Sequence, residues 1–124
     1  MKPIIAALIA ATSLTATPVL AQEGIATTRG NGAILRALDK VSSNITDLNL
    51  APGEAAEVGR LTVRLGECRF PTDDPNADAY AQMVITDRNS GATLFDGWMI
   101  ASSPALSALD DARYDVWVLG CQKT

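Results

Sequence analysis

The chain has 124 residues, 48% of them apolar, with ten basic and fourteen acidic side chains and a formal net charge of −4. That length limits it to one small domain, and the apolar content is too high for an intrinsically disordered chain. Histidine is absent, which excludes Ser-His-Asp and Cys-His catalysis and every histidine-ligated metal site.

Met1 and Lys2 give a positive start, Ile4 to Leu14 form an apolar stretch broken only by Thr12 and Ser13, and Thr17-Pro18 precede Val19-Leu20-Ala21. This is the layout of a secretory signal over residues 1–21, with cleavage expected between Ala21 and Gln22. A lipoprotein needs a cysteine after the cut, and Gln22 stands there. The apolar run is shorter than the roughly 20 residues of a spanning helix, so no membrane span is expected after processing. The expected location is the periplasm. Loss of Lys2 with the leader leaves nine basic residues against fourteen acidic, a net charge of −5. Those nine are scattered rather than clustered, which speaks against nucleic acid or anionic lipid as a partner.

Residues 22–32 contain three glycines and small polar residues, and read as a flexible segment leading into a single β-rich domain over residues 33–124. Ala33 to Lys40 and Ile45 to Leu50, joined through Ser42-Ser43-Asn44, fit a hairpin. Arg60 to Leu65 alternates polar and apolar side chains, so Leu61, Val63 and Leu65 should face the core. A loop with two prolines and three aspartates follows from Pro71 to Asp78, then a strand over Tyr80 to Thr86 and a turn at Asn89-Ser90-Gly91.

Ala92 to Ala101 is apolar on both parities, which predicts a strand inside a sheet. Ser103-Pro104 predicts a capped helical turn near residues 104–109, kept short by Asp110 and Asp111 at its end. Tyr114 to Cys121 is rich in β-branched and aromatic residues and reads as a central strand. The fold class expected is all-β: a small antiparallel sandwich or partly open barrel with one helical turn.

Two cysteines, Cys68 and Cys121, follow the leader, and in an exported chain they are expected to pair as one disulfide. A redox-active pair or a two-thiolate metal site has less support, because there is no CxxC and no further soft ligand. No cofactor and no metal are expected. Asp74, Asn76 and Asp78 have the spacing that opens an EF-hand loop, but Ala79 and Ile85 stand where the glycine and the glutamate should be. Ser102 and Ser103 adjoin a helix start, yet only Lys40 and Lys123 stand in for a base, and Ser103 reads as a cap. Asp96 and Asp115, each within an apolar strand, are the acids to examine for carboxylate-only hydrolysis. Trp98, Trp117, Tyr114 and Asp115 form the candidate interaction surface, weighed against a core role for the aromatic rings.

The run Gly97-Trp-Met-Ile-Ala-Ser-Ser-Pro-Ala-Leu-Ser-Ala-Leu109, followed by Tyr114-Asp-Val-Trp-Val-Leu-Gly-Cys121, resembles a proteobacterial family of small exported proteins, domain of unknown function 2155. Leu35 to Lys40 and Glu67-Cys68-Arg69 extend the resemblance over most of residues 33 to 121. It implies an exported domain of Gram-negative bacteria with two cysteines in matching positions, and it carries over no activity or catalytic residue. Ile100 replaces a phenylalanine typical of the family, and Gly120 an acidic residue, so no role for a charge beside Cys121 is carried over.

The function expected is a non-enzymatic periplasmic binding or protein-interaction domain, an accessory factor whose partner is an envelope protein of unknown identity. A small-molecule binder using a β-barrel mouth or the cleft between sheets is the second reading. A carboxylate-only hydrolase is the third.

Overall fold

The computed structural model describes residues 3, 4, 7, 9–16 and 24–124; the expected cleavage site, Ala21-Gln22, lies outside them. Eight strands follow in chain order: β1 (Thr27–Arg29), β2 (Gly32–Asp39), β3 (Ile45–Leu50), β4 (Ala55–Val58), β5 (Leu61–Pro71), β6 (Tyr80–Asp87), β7 (Thr93–Ile100) and β8 (Tyr114–Gln122). One 3-10 turn, Pro104–Leu106, interrupts the long link between β7 and β8. All pairings are antiparallel. One sheet runs β1-β5-β6-β7, with β4 pairing along the first half of β5; the other runs β3-β2-β8.

The two sheets remain open and stack as a sandwich, so the barrel form of the expectation does not apply. Alternation along the strands explains why they stack. On β5, Leu61, Val63 and Leu65 point inward, and on β6 Ala81, Met83 and Ile85 do the same. From the second sheet Ala33, Leu35 and Ala37 on β2 meet Val116 and Val118 on β8. Every buried side chain among the described residues is apolar apart from the hydroxyl of Tyr114. Each inner face alone is a half-core, and stacking removes both from water at once.

Strict alternation does not bring the cysteines inward. Leu65 and Cys68 are three apart, as are Val118 and Cys121, so without correction each pair would face opposite ways. A bulge resolves each case. On β5, Gly66 is the extra residue, because Leu65 pairs with Met83 while Glu67 pairs with Gln82. On β8, Leu119 is extra, because Val118 pairs with Leu35 while Gly120 pairs with Ile34. One residue looped out of the ladder restores the inward parity. Cys68 and Cys121 then sit at disulfide distance, Cα atoms 5.6 Å apart, and tie one sheet to the other. The chain changes sheets at the same place. Gly30 donates its amide to the Cys68 carbonyl at 2.7 Å, and Asn31 donates to the Gln122 carbonyl at 2.7 Å. A Cβ on Gly30 would lie 2.6 Å from that Gln122 oxygen and 3.0 Å from the Cys121 Cβ, so the crossover needs glycine.

Two strands occupy other positions than their composition suggests. β7 closes the edge of its sheet rather than lying inside it, and β8 is an edge of the three-stranded sheet, whose centre is β2. Their double-sided apolar character has local causes: on β7 Leu94 is the extra residue of a third bulge, and on β8 Trp117 and Leu119 face outward. The helical turn is also shorter than the expected 104–109. Ser103 makes no side-chain cap bond, the turn stops at Leu106, and Leu109 leaves it to reach the core. Thr27–Arg29, within the segment read as flexible, pairs with β5 from Thr27 opposite Pro71 to Arg29 opposite Arg69.

Candidate functional site

The four candidate surface residues separate into three places. Tyr114 is turned inward and buried, with the Arg60 and Arg113 guanidinium carbons 5.4 and 5.3 Å from its ring centroid. It belongs to the interior, because position 114 shares its parity with Val116 and Val118. Trp98 lies on the outer face of β7, 39% exposed, beside Gln82 of β6. Asp115 and Trp117 lie together on the outer face of β8, two residues apart as alternation requires.

Those last two line an open, largely apolar pocket of about 370 Å³ with Pro104, Ala105 and Ala108. Its position on β8 is fixed by what does not line it. Leu38 and Arg36 of β2 are the cross-strand neighbours of Asp115 and Trp117, and neither borders the pocket. The pocket therefore opens on the other side of β8, the edge without a partner strand. Arg36 is held by Asp47 through bonds of 2.7 and 3.1 Å, so it is committed away from Asp115. Asp115 joins no ion pair among the described residues. Sequence reading missed Pro104, Ala105 and Ala108, since small side chains forming a wall carry no chemical signature.

Asp96 and Asp115 do not converge. Asp96 sits opposite Val84 on the outer face of one sheet, and Asp115 on the outer face of the other, with the core between. Of the three residues with EF-hand spacing, the side chains of Asp78 and Asn76 are used in bonds to the chain itself. Asp78 accepts from the Ala79 amide (2.8 Å), the Ser102 amide (2.9 Å) and the Ser102 hydroxyl (2.6 Å), while Asn76 accepts from Lys123 at 2.5 Å. Burial pushes the Asp78 carboxyl up, but the Ser102 and Ala79 donors together outweigh it and hold it below the ordinary carboxylate value. A polar pocket of about 330 Å³ lies between this loop and the end of β8.

Residues 33–121 match the model of a family described as "Uncharacterized protein conserved in bacteria (DUF2155)". The chain belongs to that family. The matched span begins on the first inward residue of β2 and ends on Cys121, so it takes in both cysteines of this DUF2155 domain and strands of both sheets, with β1 outside it. Over 94 residues the chain is 32% identical to uncharacterized protein RP359 of Rickettsia prowazekii (strain Madrid E), a match covering 73% of this chain and 60% of that protein. The chain thus spans less than two thirds of the length of that relative. No solved structure matches it.

The DUF2155 domain has a second cluster of charge, at the end opposite the disulfide. Arg60 bridges Asp87 (2.8 Å) and Asp111 (2.5 Å), and Arg113 pairs with Asp39 at 3.0 Å. Asp111 also accepts from the Arg113 and Tyr114 amides at 2.9 Å each, which fixes the entry into β8. Burial alone would raise the Asp111 carboxyl; the Tyr114 amide, Arg60 and the Arg113 amide together hold it low. Arg113 holds Asp39 far below the usual carboxylate range. The Asn89 and Ser90 amides, with Arg60, lower Asp87 against its partial burial. These groups stay charged and mutually engaged at neutral pH, which suits a structural clamp rather than proton transfer.

Proposed function

We propose that the chain is exported to the periplasm of a Gram-negative cell and works there as a non-enzymatic protein-interaction domain, an accessory factor of an envelope assembly. The observation that carries this reading is the pairing of Cys68 with Cys121 across the two sheets, an arrangement that persists in an oxidising compartment and not in a reducing one. The signal-like residues 1–21 support it independently. So does the use made of the acidic residues: Asp39, Asp78, Asp87 and Asp111 brace turns and strand entries. The interior is filled by side chains from both inner faces, so recognition falls to the outer surface.

The test is crosslinking in intact cells followed by mass spectrometry. Crosslinks from the outer faces to envelope proteins are expected, on a chain that begins at Gln22 and has both cysteines oxidised. A chain recovered with its first 21 residues intact and both thiols free to alkylate, or one that gains no partner, overturns the reading.

A further inference from the structure

The β8 edge combines three features that occur together nowhere else among the described residues. Its backbone pairs with β2 on one side only. An apolar pocket lies along the other side, walled by Pro104, Ala105 and Ala108. A carboxylate engaged in no ion pair among the described residues, Asp115, shares that pocket with the indole of Trp117. An unpaired edge satisfies its amides and carbonyls by adding a strand, and alternate side chains of that strand enter whatever pocket adjoins it. An indole beside a carboxylate, with apolar walls around them, favours a side chain with an aliphatic stem and a cationic end.

We propose that this groove receives an extended segment of a different protein, added as a fourth strand beside β8, with a lysine or arginine side chain set between Asp115 and Trp117. The proposal rests on the reading of the chain as an interaction domain and gives that reading a place and a partner chemistry.

Charge complementarity selects a foreign strand over a second copy of this chain. The edge strands of a second copy are β8, β7, β3, β4 and β1. The first four carry no lysine or arginine. The one basic residue of β1, Arg29, is bonded to Glu67. Two β8 edges paired with each other would bring two Asp115 carboxylates to one seam with no cation to offset them. Leu106, 78% exposed, lies on the same 3-10 turn as Pro104 and Ala105, and Leu119, 40% exposed, lies on β8 two residues beyond Trp117, so both elements that border the groove carry further exposed apolar side chains.

Selection of a displayed random peptide library on the full-length oxidised protein tests this. Enriched peptides are expected to carry a lysine or arginine within a run of alternating apolar or β-branched residues. Synthesised and titrated against the Trp98→Phe variant, they should shift the fluorescence of Trp117. Asp115→Asn, a substitution at a partly exposed position, should weaken binding about tenfold or more while leaving the melting temperature unchanged. N-methylation of the peptide amides that face β8 should abolish binding, and N-methylation of the alternate set should not. Failure to enrich any peptide, equal affinity for Asp115→Asn, or equal tolerance of both methylation patterns overturns the proposal. Crosslinks in cells that reach an envelope protein through the Trp98 face would also overturn the groove while leaving the interaction reading intact. Cells that yield no crosslinked partner would remove that reading even if the peptides bind.

Discussion

The two ends of the sandwich are held by different physics. At one end Cys68, Cys121 and the glycine crossover at Gly30 lock the sheets by covalent bonding and close backbone contact. At the other, Arg60, Arg113, Asp39, Asp87 and Asp111 tie β2, β5, β6 and the entry to β8 by charge, around the ring of Tyr114. The disulfide acts mainly on the unfolded chain, whose freedom it restricts, and its contribution does not depend on a titrating group. The charged end acts on the folded state and responds to pH. In a domain of this size each tie is a sizeable part of the net stability.

Breaking the covalent end has the largest expected effect. The disulfide closes a sequence separation of 53 residues, for which the chain-entropy relation gives about 4 kcal/mol. Against a net stability of roughly 5 to 15 kcal/mol, a paired Cys68→Ala and Cys121→Ala variant should lose a large part of its stability. Urea titration of that variant beside the parent measures it. A midpoint unchanged by removal of both sulfurs would show that the two ends do not share the load as described.

At the charged end the central residue is Asp111, whose side chain is 8% exposed and accepts from Arg60 and two backbone amides. Asp111→Ala leaves those donors without their acceptor and should cost about 1–3 kcal/mol. Because Asp111 fixes the start of β8, the loss should appear in hydrogen exchange first at Tyr114 and only later at Cys121. Uniform loss of protection along β8 would mean that the two ends are one cooperative unit.

Acid should act mostly at the same end, which holds three of the lowered carboxyls, with Asp78 lying near the disulfide and Asp47 on β3. The Asp39, Asp87 and Asp111 carboxyls are all lower in the folded protein than the ordinary value of 3.8. The unfolded chain therefore binds protons first, and the stability these groups contribute is complete above about pH 4 and is lost as pH falls through their folded values. Unfolding free energy, followed at intact disulfide, should be level from about pH 7 to 5 and decline below about pH 4. The decline should be shallower in Asp39→Asn, which removes one of the titrating groups. An equal slope would assign the acid response elsewhere.

The contrast between the ends also explains what the sequence disclosed. Alternation in Leu61, Val63 and Leu65 located β5, the turn residues after Lys40 set the start of β3 at Ile45, and Pro52-Gly53 set its end at Leu50. The continuation of β5 to Pro71 was hidden because the bulge at Gly66 shifts the parity, and the same shift at Leu119 is what brings Cys121 inward. The lateral places of β7 and β8 were misread because apolar residues on both parities record total contact, not which neighbour supplies it. β1 and β4, three and four residues long, are too short for any period to register. The cysteines were legible by their even count and the signal-like start of the chain, and the Arg60 clamp was not, since its members lie 27 and 51 residues apart with no pattern linking them. Of the groove, Asp115 and Trp117 were visible as an acid and an aromatic ring in one strand; its wall was not.

The finest distinction lies within the charged end, in two turns that share one design. In each, an aspartate begins the turn and its carboxylate accepts from amides two and three residues on: Asp39 from Val41 and Ser42, Asp87 from Asn89 and Ser90. In each, the residue four positions on donates its amide back to that aspartate's carbonyl at 2.7 Å and takes a left-handed conformation. That residue is Gly91 in one turn, with φ of 73°, and Ser43 in the other, with φ of 63°. A side chain at such φ is strained, whereas glycine is not. A Cβ at Gly91 would meet nothing within 4 Å, so backbone preference alone separates the two positions. Ser43→Gly should therefore stabilise by about 0.5–1 kcal/mol and Gly91→Ser should destabilise by about as much. Each change should move the melting temperature by about 2–8 °C, in opposite directions. The double variant should melt near the parent, because the turns lie in different sheets and share no hydrogen bond, so their effects add. A double variant far from the parent would show that the two turns are coupled through Arg60, Arg113 and the Tyr114 ring between them.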